Sequence, residues 1–176
     1  MAMPPEIRTE RLLLRQPVLA DLPRLVALAN SWAIASKVGR MPFPYGEAEG
    51  LVFLNDVVCA DDEQVYAITL PEGLIGCIGL HATEVGPMEL GYWLGEPYWE
   101  KGYATEAGQA VVAAAFADPA VDALIAGHFL TNPRSGRVLE KLGFRYSGES
   151  WRECLAQGCT VASREMRLAR GDWNVR

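Results

Sequence analysis

The sequence predicts an α+β domain on a mostly antiparallel sheet of about seven strands, with one parallel pair and about four flanking helices. Three observations lead there. Residues 64–70 and 74–80 are rich in Val, Ile and Leu and meet at Pro71-Glu72-Gly73, a hairpin signal. Residues 88–94 and 121–130 form a second pair of apolar runs, separated by an Ala-rich helical stretch at 105–117. A strand–helix–strand crossover makes those two strands parallel neighbours. Residues 144–170 then supply two closing strands about the turn Ala156-Gln157-Gly158.

The remaining elements follow in order. Residues 10–15 (ERLLLR) read as a short apolar strand with charged ends. Asp21 is expected to cap a helix whose Leu22, Leu25, Val26, Leu28 and Ala29 share one face. Pro23 falls in its first turn, where a missing N–H costs nothing. Residues 40–46 (RMPFPYG) hold two prolines and must be a loop, carrying Phe43 and Tyr45 ahead of a helix at 47–58. Asp118-Pro119 stops the Ala-rich helix, and Pro133 with Gly143 brackets one more short helix. A chain of 176 residues suits one domain, spanning 1–176.

Composition narrows the function. A formal net charge of −6 argues against a nucleic-acid partner, which favours a basic face, and is compatible with a cationic acceptor. No apolar run approaches the ~20 residues of a membrane-spanning helix, and the start MAMPPEIRTE lacks the pattern of a secretory leader. No membrane partner and a cytoplasmic location are therefore expected. Four cysteines without a CxxC pair, beside two histidines, do not suggest a metal site. Cys154 and Cys159 are placed to face each other across a hairpin, but free thiols are the expectation. Whether the chain forms a homodimer is left open by the sequence.

The informative stretch is MELGYWLGEPYWEKGYATE, residues 88–106, which reads as strand, loop and helix start. Pro97 ends the strand, and Gly102 stands just ahead of the helix. The first amides of a helix lack intrahelical partners and the dipole is positive there, so a glycine at that point lets a phosphate reach the backbone. Residues 100–105 are a candidate anion site; taken alone, the loop serves equally as an ordinary strand-to-helix turn. Gly102-x-Ala104 differs from a dinucleotide-binding GxGxxG, since the first glycine is missing and no βαβ unit opens there.

Trp99-x-x-Gly102-x-Ala104 resembles the pyrophosphate loop of the GNAT family of N-acetyltransferases, Gln/Arg-x-x-Gly-x-Gly/Ala, with Trp99 at the departing first position. A second segment, Asn132-x-x-Ser135 followed by VLEKLGF at 138–144, resembles the family's other acetyl-CoA-contacting segment. The GYW and GYATEA runs, ERLLLR and the PFPY loop look like its RimJ/RimL-like branch (ribosomal-protein-alanine acetyltransferase-like).

The resemblance covers essentially the whole chain. It implies a GNAT fold with a splayed parallel pair, acetyl-CoA as cosubstrate without a metal, and a primary amine as acceptor: a protein N-terminus or a small molecule. It places Tyr92, Trp93 and Leu94 against the pantetheine arm, and Lys101, Gly102, Tyr103, Ala104 and Thr105 around the phosphates. Asn132 would bond the pantetheine amide; Arg134, Arg137 and Lys141 lie where the nucleotide phosphates could be or form a charged helix face; and Phe43 and Tyr45 would wall the acceptor or plug a gap in the core.

For chemistry, an amine arriving protonated needs a base, and a leaving thiolate is helped by an acid. Glu89, on the central strand, is the expected base, with His81 and Glu84 behind it. The tyrosine acid of many family members is missing, its place taken by Leu139, and Ser135 is the expected substitute. Each has another reading: Glu89 as the partner of an arginine, Ser135 as a helix cap. A non-catalytic acetyl-CoA-binding module on the same fold is the alternative function.

Overall fold

The computed structural model describes residues 3–84 and 86–173. Strands β1 (Glu6–Arg8), β2 (Leu13–Arg15), β3 (Glu63–Leu70), β4 (Gly73–His81), β5 (Met88–Leu94), β6 (Ala123–Phe129), β7 (Arg145–Cys154) and β8 (Cys159–Ala169) form one sheet. Its order is β1-β2-β3-β4-β5-β6-β8-β7, antiparallel throughout except for β5 against β6. The parallel pair is where the crossover helix predicts it. This is the arrangement expected from the sequence, with eight strands among the described residues against about seven expected. The added strand is β1, three residues with two charged, exposed ends, too short to show a pattern.

Among the described residues, five helices cover the sheet: α1 (Leu22–Ala29), α2 (Trp32–Ala35), α3 (Glu47–Val52), α4 (Tyr103–Phe116) and α5 (Pro133–Lys141). A wider turn at Phe53–Val57 continues α3, so the predicted helix at 47–58 is there in two windings. On one face α4 and α5 bury Val111, Ala115 and Leu139 against Leu90, Leu124 and Leu168 of the sheet. On the other, α1 and the α3 turn bury Leu25, Ala29 and Leu54 against Ala67, Leu74 and Cys77. Alternation along the strands feeds both cores.

Asp21 departs from expectation. It stands at the start of α1 without capping it through its side chain. Its carboxylate is taken by Arg15, at 2.7 and 2.8 Å, and by the Val18 amide at 2.9 Å. Burial opposes ionisation of Asp21, but the Arg15 and Val18 hydrogen bonds hold its carboxyl below the usual range. An arginine on β2 outcompetes a local amide because the charged pair is the stronger bond. All four cysteines are free: Cys154 and Cys159 oppose each other in the β7–β8 register, but Cys154 is buried and Cys159 exposed. Among the described residues, no helix is long and apolar enough to cross a membrane.

Leu124 is fully buried at the start of the parallel pair. Leu124→Ala should lower the stability of the fold by about 2–5 kcal/mol, lost transfer free energy plus a residual cavity, as read by urea denaturation. A loss below ~1 kcal/mol would show that α4 and α5 collapse onto the gap.

Candidate active site

Seven residues of β5 and seven of β6 run side by side, but only Met88↔Leu124 and Glu89↔Ile125 pair. Beyond Glu89 the strands part. A sheet that opens between two central strands leaves main-chain donors and acceptors facing a slot, where an extended ligand can take the place of a strand. A cavity of about 1040 Å³ follows this opening, at the upper end of ligand-site sizes and large enough for a cofactor arm and an acceptor together. It is lined by Glu89, Tyr92, Trp93 and Leu94 of β5, Gly102 to Thr105 of the loop and helix, and Asn132 and Ser135 of the second segment. Two stretches distant in sequence thus meet at one cavity. Lys101 alone of the residues expected to hold the cofactor is outside the lining; it is exposed, with its ammonium 5.7 Å over the Tyr98 ring.

At one end the loop is shaped for an anion. Gly102 has φ +83° and begins α4 with no side chain capping the helix, so the first amides face the cavity end with the positive dipole behind them. Glu100 also takes positive φ, +62°, and is held by Arg134 at 3.2 Å. Trp99, at the departing motif position, ties the loop mechanically: its indole N–H donates to the Leu94 carbonyl at 2.7 Å. The charge missing from position 99 stands above it, since the Arg134 guanidinium lies 5.6 Å over the Trp99 ring. Arg137 and Lys141 of α5 are exposed and line the same cavity.

Sequence reasoning missed Arg11, which braces this loop from behind. It donates to Glu106 at 2.7 Å and to the Lys101 carbonyl at 2.9 Å, and stacks 4.6 Å from the Tyr103 ring. Burial works against the Glu106 carboxylate, yet bonds from Thr9 and from the Arg11 backbone and side chain hold it below the usual range. ERLLLR and GYATEA are therefore one physical unit.

At the other end two groups flank the slot from opposite faces. Tyr92 packs with the α4–α5 core and Trp93 with the α1–α3 core, so alternation sends Glu89 to the Trp93 face. On the α5 side, the Tyr92 and Ser135 hydroxyls lie 2.8 Å apart. Ser135 is not the cap of α5; that is Asn132, whose side chain accepts from the Ser135 amide at 3.4 Å. Leu139 is buried in the core and offers the slot nothing.

On the opposite face, Glu89 is bonded to Arg152 of β7 and lies 3.7 Å from His81, its cross-strand partner. Arg152 is shared: its Nε donates to Glu165 of β8 at 2.7 Å. Bonds to Glu165 and then Glu89 outweigh burial and raise Arg152 above its ordinary value. Burial opposes the Glu165 carboxylate, and Arg152 and Ser150 hold it below the usual range. Two carboxylates on one guanidinium leave this face with an excess negative charge, suited to an ammonium. Gly127 of β6 makes room for the arrangement, since a Cβ there would lie 2.6 Å from the Arg152 Cζ. Glu84 is exposed on its turn, outside the cavity lining. Tyr45 lines the cavity, whereas Phe43 packs edge-on to Trp32 at 5.4 Å on the surface.

The likeness to known proteins extends over most of the chain. Residues 11–145 match the family model described as an acetyltransferase (GNAT) domain. The chain is 28% identical over 161 residues to YnaD of Bacillus subtilis (strain 168), an uncharacterized N-acetyltransferase, covering 86% of this chain and 89% of that one. Its fold matches the crystal structure of a GNAT-family acetyltransferase from Bacillus anthracis, with TM-score 0.81, 25% identity and coverage of 94% and 99%. It also matches spermidine N-acetyltransferase from Vibrio cholerae, in complex with CoA and spermine, with TM-score 0.76, 19% identity and coverage of 93% and 98%. With the family model spanning most of its length and the slot in place between β5 and β6, the chain belongs to the GNAT acetyltransferase family.

Proposed function

We propose that this chain is an acyltransferase that moves the acetyl group of acetyl-CoA to a primary amine by direct attack in a ternary complex. The observation that carries this is the parting of β5 and β6 after Glu89, with an uncapped helix N-terminus at one end and Glu89 and Ser135 on opposite faces at the other. The pyrophosphate would sit on the amides of 103–105, with Gly102 admitting it. The pantetheine arm would lie along Tyr92 to Leu94 and the Asn132 side chain. Glu89, directly or through water, takes the proton that the amine must lose. The amine then attacks the thioester carbonyl, whose oxygen gains charge, and β5 main-chain N–H groups facing the slot stabilise it. The C–S bond breaks with its electron pair on sulfur, and Ser135 donates a hydrogen bond to the thiolate.

The acceptor is a protein N-terminus, as in the RimJ/RimL-like branch, or a small amine. Supporting that branch are Trp99, GYATEA and the Arg11–Glu106 bond that joins ERLLLR to the loop. The test is acetyl-CoA turnover against peptides beginning with Ala or Ser, spermidine, aryl and alkyl amines and an aminoglycoside. Thiol release and the acetylated product are read together by mass spectrometry. One acetylated amine per thiol with at least one acceptor is expected. Tight acetyl-CoA binding with no product from any of them would make the chain a binding module instead. Ser135→Ala should lower turnover about tenfold, at the weak end of acid effects, and leave acetyl-CoA affinity unchanged. An unaltered rate would mean the thiolate leaves unaided.

A further inference from the structure

Leu139 of α5 is buried in the core, and it is a tyrosine on the central strand, Tyr92, that reaches Ser135 at the slot. The Tyr92 hydroxyl is 2.8 Å from Ser135 Oγ and 3.2 Å from the Ser135 carbonyl. We propose that Tyr92 is a positioning residue for departure of the thiol: its phenol donates to Ser135 Oγ and so turns the Ser135 O–H into the slot between β5 and β6, toward the sulfur. This deepens the acetyl-transfer reading and rests on it.

Either hydroxyl can donate in this contact, and the Ser135 carbonyl also accepts from the phenol; acidity favours Tyr92 as the donor to Oγ. Each hydroxyl has one proton, and a phenol is the better donor and an aliphatic hydroxyl the better acceptor. The shorter of the two Tyr92 contacts is the one to Oγ. Once Oγ accepts from Tyr92, its own proton must point elsewhere, and both residues line the cavity that holds the slot. Burial, against a smaller opposing effect of the Ser135 bond, pushes the Tyr92 phenol up to about 12. The phenol therefore keeps its proton at any working pH and has it to donate.

No proton needs to leave Tyr92. A phenol is far less acidic than a thiol of ordinary pKa ~8.5, so full transfer to the sulfur would run uphill. What changes is the strength of the Ser135 donor, because a hydroxyl that accepts one bond is polarised and donates a stronger one. The electron pair of the breaking C–S bond stays on sulfur, stabilised by that donor. The thiolate is protonated later with the proton released by the amine.

The experiment uses CoA itself, whose free thiol is the leaving group, and needs no acceptor. Thiolate ultraviolet absorbance is titrated for bound CoA on the wild-type protein, Tyr92→Phe, Ser135→Ala and the double variant, with melting curves for each. The bound thiol should ionise more readily than in free CoA. Each single variant should reduce its ionisation constant about tenfold, and the double variant no further, because the two residues act as one unit. In turnover with acetyl-CoA, Tyr92→Phe should lower kcat and leave KM for acetyl-CoA within about twofold.

A Tyr92→Phe protein that titrates like wild type, two shifts that simply add, or a bound thiol no more acidic than free CoA would overturn the proposal. Ser135→Ala keeps the phenol in the core and must show the full shift alone, which covers any unfolding of Tyr92→Phe. A protein that shows the coupled shift yet acetylates no amine would retain the Tyr92–Ser135 arrangement and lose the acetyl-transfer reading. One that acetylates amines without the shift would lose the arrangement alone.

Discussion

Glu89→Gln should lower acetyl transfer roughly a hundredfold or more at neutral pH and leave acetyl-CoA binding near wild type. The substitution keeps the shape of the side chain and its bond to Arg152 while removing the basic oxygen pair. The environment decides why Glu89 carries this weight. It is the carboxylate at the point where β5 and β6 part, and it faces the slot opposite Ser135. Arg152 bonds to it but is also drawn by Glu165, so the guanidinium fixes the carboxylate without fully neutralising the face. Part of the lost rate should return as pH rises, because an acceptor of ordinary amine pKa, ~8 to ~10, then arrives increasingly neutral and needs no base. A near-normal rate between about pH 6 and 9 would move the role to His81, which lies 3.7 Å away.

The second large effect is on binding. Acetyl-CoA should raise the melting temperature of the wild-type protein, since a ligand that prefers the native state stabilises it by mass action, ~2.7 kcal/mol at a hundredfold excess over Kd. Gly102→Asp should abolish that shift. An Asp at φ +83° carries strain of about 1–2 kcal/mol, and its carboxylate would occupy the anion position at the start of α4. Its Cβ would stand 3.3 Å from Arg11 Nη2, which places the new charge beside a cation and closes the cradle further. A negative group at a helix N-terminus is itself favourable, so the fold should survive the change. If the folded variant still responds to acetyl-CoA like wild type, the loop is not where the phosphates bind.

What could be read from the sequence was local chemistry. Gly102 and Gly143 both take positive φ and stand at the start of α4 and the end of α5, where turn chemistry alone predicts them. The crossover from β5 to β6 follows from element order and needs no side-chain detail. What stayed hidden was set by register and by contacts between remote segments. Arg152, Glu165 and Gly127 lie on three different strands and meet Glu89 on a fourth, so no spacing within any one of them reveals the cluster. Arg11 sits 95 residues from Glu106. The Tyr92 side chain was read only as main chain beside a ligand, because which face a strand residue takes depends on register. Asp21 shows the reverse error: its sequence position suits a cap, and Arg15 on β2 takes the carboxylate instead.

The structure of the protein with CoA bound tests the central claim most directly. The account predicts the pyrophosphate on the backbone amides of 103–105, the pantetheine arm between β5 and β6 beyond Glu89, and the sulfur within hydrogen-bond reach of Ser135 Oγ. A CoA molecule bound with its pyrophosphate away from Gly102, or with its arm outside the opening between the two strands, would contradict it.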